Sequence, residues 1–151
     1  MTVYVDDMYL YPAGRFGRMK MSHLIADTSD ELLAMVRQIG VNPKWIQHAG
    51  TRDEHFDIAI VKRAATISAG ALPITHQQCS AMNKRRRVTG QLGSPEDAVA
   101  WMQAFVERRG RERRARSTAD TSDAGRQRPL DDPEPDAIPL EADPSPVIRI
   151  D

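Results

Sequence analysis

The sequence predicts an α/β fold: a small, largely parallel sheet with flanking helices, then a C-terminal helix and a disordered tail. Three observations carry this expectation. Short β-branched and aromatic runs alternate with helical repeats of apolar residues over residues 1–83. A helix-start signature, cap then proline then acids, reappears at Ser94. Beyond Ser117 the chain turns to Asp, Ser and Pro, a composition too poor in large apolar groups to build a core.

Each element has its own signal. TVYVD, Thr2–Asp6, is β-branched and aromatic and predicts the first strand. Asp7 to Met21 is irregular, broken by Pro12, Gly14 and Gly17 and carrying Arg15, Arg18 and Lys20. HLIA, His23–Ala26, predicts a second strand, closed by Asp27. Thr28 and Glu31 then fit a capping box, and Leu32, Leu33, Val36 and Ile39 recur at helical spacing before Gly40 stops the helix. WIQH, Trp45–His48, predicts a third strand. After a polar loop, Asp57 is placed to cap a helix through about Ala69, with Ile58, Val61 and Ala65 inward. ALPIT, Ala71–Thr75, predicts a fourth strand at an edge or an end, because proline cannot donate to a ladder, and His76–Met82 a short helix. Alternating strands and helices imply parallel pairs joined by right-handed crossovers. So short a segment builds only a small core, which a homodimer or packing by the later helix would reinforce.

The remaining chain divides by charge. A basic linker is expected at 84–94, an amphipathic helix with a basic end at 95–116, and an acidic, proline-rich tail at 117–151. Residues 1–83 carry eight basic and eight acidic side chains, 84–116 ten and four, and 117–151 three and nine. The neutral total therefore hides a basic block followed by an acidic one, which points to an anionic partner such as nucleic acid. A solvated helix end neutralised by the chain's own tail gives the same pattern. One cysteine, Cys79, excludes an internal disulfide and a cysteine-rich zinc module, and fits a reducing compartment. The N-terminus has acids where a signal peptide needs a basic region, and no apolar run reaches the roughly 20 residues that cross a bilayer. These features predict a cytoplasmic protein without a membrane segment.

Residues 1 to about 83 carry an ordered set of short motifs: VYVDD, SHLIADT, W-x-Q-H followed by HFD, then KR and AGALPIT. In these the chain resembles a small bacterial and phage family known as domain of unknown function 4031. The resemblance implies domain limits and a bacterial or phage origin, and it implies no activity. Residues 84–151 lie outside it.

In open α/β sheets, ligands bind beyond the carboxyl ends of the strands. With the predicted strands parallel, that rule collects Asp6, Asp27, His48 and His76 at one edge, with His23 on the same strand face as Asp27. Asp6, His23, Asp27 and His48 are therefore candidate ligands of a divalent metal ion: magnesium or manganese if oxygens dominate, zinc if imidazoles do. His55 is a candidate acid/base group or a further ligand. Each has an ordinary alternative: Asp27 and Asp57 as helix caps, His23 as a hydrogen-bonded core histidine, His76 as a structural residue, Asp53 and Glu54 as solvated loop charges. Arg15, Arg18 and Lys62 are candidates for binding an anionic substrate, whereas Arg63 is expected to be an exposed helix charge. Lys84, Arg85, Arg86 and Arg87 are candidates for contacting nucleic-acid phosphates. Two functions follow as expectations: a divalent-metal-dependent hydrolase of a phosphate ester, with a nucleotide or nucleic acid as substrate, or a non-catalytic accessory protein that binds nucleic acid or a host protein through its basic region.

Overall fold

The computed structural model of the chain describes residues 2–123. Two units divide it: Met1–Arg113, which holds the sheet, and Arg114–Asp151, of which the described part is the end of the last helix. Five strands form one sheet: β1 (Val3–Val5), β2 (Arg15–Phe16), β3 (Met19–Ala26), β4 (Phe56–Ala59) and β5 (Leu72–Pro73). The sheet is mixed, not largely parallel. β3 pairs antiparallel with β1, β2 and β4, and β1 pairs parallel with β5. The reason lies between β1 and β3, where the chain makes 3-10 turns at Met8–Leu10 and Pro12–Gly14 instead of a crossover helix. Without a helix to carry the chain back across the sheet, it returns antiparallel. Gly14 is needed there, because a Cβ would overlap the backbone oxygen of Met8.

Residues 45–59 are the second correction. Pro43–Trp45 is a 3-10 turn, Gln47 makes an isolated antiparallel bridge to His55, and His48 takes a left-handed backbone at φ 51°. WIQH is therefore not a strand. FDIA is, because Phe56 and Ile58 are buried while Asp57 and Ala59 alternate onto the other face. Asp57 consequently caps no helix. The helix α2 (Ile60–Ser68) begins later, exposing Val61 and Ala65 and burying Thr66.

Helix α1 (Ser29–Gln38) starts where expected, with the Thr28 hydroxyl accepting from the Glu31 amide at 3.3 Å. Helix α3 (His76–Thr89) is capped by Thr75 and Gln78 and ends at Gly90, whose φ of 89° closes it. It runs through KRRR, so residues 84–89 are helical where a linker is expected. Helix α4 (Pro95–Asp123) continues past the predicted end at 116; the rest of the predicted tail, 124–151, lies outside the described residues.

The sheet has a core on each face. Val3, Val5, Leu24, Phe56 and Ile58 pack with Leu32, Met35 and Val36 of α1 on one face. Tyr4 and Ile25 pack with Cys79 and Met82 of α3 and Ala98 of α4 on the other. Among the described residues, no helix is long and apolar enough to cross a membrane.

Candidate metal centre

Antiparallel pairing of β1 with β3 sets Asp6, just past β1, beside His23; the Asp6 amide donates to the His23 carbonyl at 3.0 Å. The Asp6 carboxylate is fully buried. Its Oδ1 accepts from the amides of Met8 (3.1 Å) and His23 (2.8 Å), and its Oδ2 faces Nδ1 of His23 (2.8 Å) and of His76 (3.2 Å). Burial works to raise the Asp6 pKa, but the hydrogen bond and charge of His23 and the two amides outweigh it and hold it low. Burial likewise works to lower the His23 pKa, and Asp6 overcomes it, leaving the imidazole more basic than usual. The Asp6 carbonyl accepts from Arg63 Nε at 3.0 Å, and that guanidinium lies over the Tyr9 ring.

β4 brings in the other half. His23 and Asp57 are register partners across β3 and β4, and His55 stands just before β4. His55 Nδ1 lies 2.7 Å from the Asp53 carbonyl, which can only accept, so this nitrogen carries the proton. Ionised Asp6 makes the same demand of His23 Nδ1. In the neutral form, which is the form a metal would bind, each ring presents an unprotonated Nε2, and the two Nε2 atoms lie 3.6 Å (His23) and 3.8 Å (His55) from Asp57 Oδ1. That oxygen is buried and has no hydrogen-bond partner among the described residues. The other Asp57 oxygen accepts from Gln47 Nε2 at 2.6 Å.

One donor atom from each of His23, His55 and Asp57 lies within 4.8 Å of the others. Separations of 3.6 and 3.8 Å are too long for hydrogen bonds. They are close to the roughly 3.4 Å between two ligands each about 2.1 Å from one tetrahedral ion. Asp6, His23 and His76 also converge within 4.8 Å, but their facing atoms are already joined by hydrogen bonds. The arrangement suits Asp6 and the Asp53 carbonyl as outer groups that orient two ligand imidazoles.

A cavity of about 380 Å³ opens beside the trio, lined by His23, His48, Asp53 and His55 and by Ser80, Asn83 and Arg87 of α3. Ring contacts link all four histidines: His23 to His55 at 5.3 Å and to His76 at 5.9 Å, and His48 to His55 at 5.7 Å. Asp7 fixes the start of α3 here, accepting from the His76 amide at 2.5 Å.

The predicted site residues divide accordingly. His23 and His55 stand among the possible ligands, Asp6 behind them, and His48 on the cavity wall. Asp27 is elsewhere. Because β3 runs antiparallel to β1, its carboxyl end meets the start of β1, with the Asp27 amide donating to Thr2, at the opposite edge from Asp6. Arg15 and Arg18 are exposed on the β2–β3 hairpin and line neither this cavity nor the trio. Lys62 Nζ donates to the Ile39 carbonyl at 3.0 Å, at the end of α1. Lys84 lies over the Phe105 ring, Arg85 pairs with Asp97 at 2.8 Å, and Arg87 pairs with Asp53 on the cavity wall. Arg86 is buried, donating to the Glu54 carbonyl (2.9 Å) and Asn83 (3.1 Å), so it cannot meet a phosphate backbone.

From the sequence, Asp57 and His76 read as a helix cap and a structural residue, and Arg63 as an exposed helix charge; the structure brings all three to the cluster. The alternation in HFDIA, which puts His55, Asp57 and Ala59 on one face, is the signal that finds Asp57. The end of the fourth predicted strand points to His76, but no local pattern marks Arg63, which reaches Asp6 from far along the chain.

Fold and site together define an α/β protein, its mixed sheet covered on both faces, with a histidine–carboxylate cluster at one sheet edge. The chain belongs to the family described as "Protein of unknown function (DUF4031)", whose model matches residues 3–86. The match takes in the whole trio and stops one residue short of Arg87. No curated protein and no solved structure matches the chain.

Proposed function

We propose that the chain is a divalent-metal-dependent hydrolase of phosphate esters, with His23, His55 and Asp57 as the metal ligands. The observation that carries the reading is the bare, buried Asp57 Oδ1 facing two imidazole Nε2 atoms whose opposite nitrogens are both committed to oxygen acceptors. Two imidazoles and one carboxylate suit zinc, and also manganese or iron; magnesium, which prefers oxygens, fits less well. A metal held there would supply a bound water of lowered pKa as nucleophile. Arg87, Ser80 and Asn83 line the adjoining cavity and offer a phosphate a cation, a hydroxyl and an amide. His48, on the same wall, is placed to exchange a proton with the leaving group.

The test is metal titration of chelator-treated full-length protein with zinc, manganese and iron, followed by assay on p-nitrophenyl phosphate and its bis ester. One equivalent of metal and metal-dependent release of nitrophenol are expected, both lost in His23→Ala and Asp57→Asn. No metal binding by the wild type rejects the centre. Stoichiometric metal without turnover of either ester rejects the hydrolase and leaves a metal-binding module.

A further inference from the structure

A second cavity, of about 550 Å³, is walled by Asp57 and by apolar side chains from four parts of the chain. Phe16 and Met19 come from the β2–β3 hairpin, Met21 from β3, Trp45 from the turn after α1, and Val61 from α2. Phe16 is 72% exposed, Trp45 65%, Val61 79% and Met19 49%. That much apolar surface around one concavity marks a binding site, since a small domain gains nothing by leaving it wet. The polar groups on the wall are mostly committed: Gln47 to Asp57 and Lys62 to the Ile39 carbonyl. An acidic or basic peptide therefore finds little to pair with.

Asp57 connects the two cavities. It lines the apolar one, while its Oδ1 faces the Nε2 atoms of His23 and His55, which line the polar one. A ligand spanning both would place an anionic group near Arg87 and the trio and a flat apolar group in the cavity that Phe16 and Trp45 line. Two exposed aromatic rings with two thioethers favour a planar ring, through stacking and sulfur–aromatic contact, over an alkyl chain.

We infer that the apolar cavity receives a nucleobase, so that the ester acted on is a nucleotide. This rests on the reading of the trio as a metal centre, but its test does not depend on metal. The sequence has two tryptophans, so Trp101→Phe leaves Trp45 as the sole tryptophan, excited selectively over the three tyrosines at the red edge of the absorption band. The full chain carrying that change is titrated with adenosine, AMP, CMP, ribose 5-phosphate and inorganic phosphate, once with chelator and once with zinc, corrected for absorbance by the base. Adenosine and both nucleotides should quench Trp45 with or without zinc, ribose 5-phosphate and phosphate should not, and zinc should tighten only the phosphorylated ligands. By calorimetry, Trp45→Ala in the otherwise wild-type chain should weaken AMP by roughly tenfold or more, as loss of one base-stacking ring does, and leave ribose 5-phosphate unchanged.

If AMP and ribose 5-phosphate bind alike with zinc and neither feels Trp45→Ala, the nucleobase site is overturned and the metal reading stands. Quenching by adenosine in a chain that binds no metal overturns the metal reading and keeps the site. A dimer that Phe16→Ala or Trp45→Ala dissociates, with nucleotide binding unaltered, assigns the surface to self-association and overturns the inference.

Discussion

Asp57 holds one oxygen against Gln47 and leaves the other bare and buried between two imidazoles. A buried carboxylate oxygen without a hydrogen bond costs desolvation that its charge interaction with His23 offsets only in part, so Asp57→Asn should not destabilise the metal-free protein and is expected to match or exceed its melting temperature in chelator. Metal should reverse the ranking. At a hundredfold excess over Kd a bound ion stabilises by about 2.7 kcal/mol, a rise in melting temperature expected in the wild type and absent in the variant. Thermal denaturation with and without zinc checks both, and a loss above about 2 kcal/mol in chelator would make Asp57 a structural residue. Cys79 shows the opposite environment. Burial pushes its thiol up, the Asp6 charge adds to this, and the side chain packs with Ile25, Ile74 and Met82. A thiol kept protonated is a poor nucleophile. Native protein at pH 8 should therefore resist a disulfide reagent that modifies Cys79 at once in denaturant; equal rates would contradict the packing.

Among the elements, β4 decides most. The strand buries Phe56 and Ile58, whereas a helix started at Asp57 would have turned Val61 inward. Phe56→Ala should cost about 3–5 kcal/mol, and Val61→Ala, on an exposed side chain, under about 0.5 kcal/mol. Chemical denaturation separates the two assignments, since comparable losses would restore the helix. Helix α3 has its own tie to the rest. The buried Arg86 reaches the carbonyl of Ala26, the last residue of β3 (3.4 Å), and the Glu54 carbonyl before β4 (2.9 Å), and burial lowers its pKa. Arg86→Ala strands those acceptors and is expected to cost about 3 kcal/mol. An oligonucleotide titration of that variant should match the wild type, because Arg86 faces the interior; weakened binding at unchanged stability would return it to the surface.

At the scale of the molecule, both cores draw their residues, among those described, from 3–102, inside the unit that ends at Arg113. A chain ended at Arg113 should keep its stability within about 0.5 kcal/mol and its metal stoichiometry, measured by denaturation and elemental analysis. A larger loss would show that residues 114–151 contribute to the fold. The basic block is not one surface either. Arg85 is paired with Asp97 and Arg86 is buried against the Glu54 carbonyl, while Arg87, paired with Asp53, faces the polar cavity, so the net charge of 84–116 overstates what an extended phosphate backbone could meet.

The sequence by itself determined the local events. The Thr28 cap, the apolar face of α1, the first strand and the proline start of α4 all stand where propensity and periodicity place them, because each depends on neighbours a few residues apart. It also drew attention to His23 and His55, two of the three members of the candidate cluster, since both are chemically conspicuous beside acids. Strand direction was decided only by the tertiary structure. Nothing local in residues 7–18 says whether the chain crosses over or turns back, and that choice sends Asp27 to one edge and Asp6 to the other. The same long-range pairing sets Asp57 opposite His23 and carries His76 and Arg63 to Asp6. A site built from four separate elements is fixed by register, and register belongs to pairs of strands, not to any one of them.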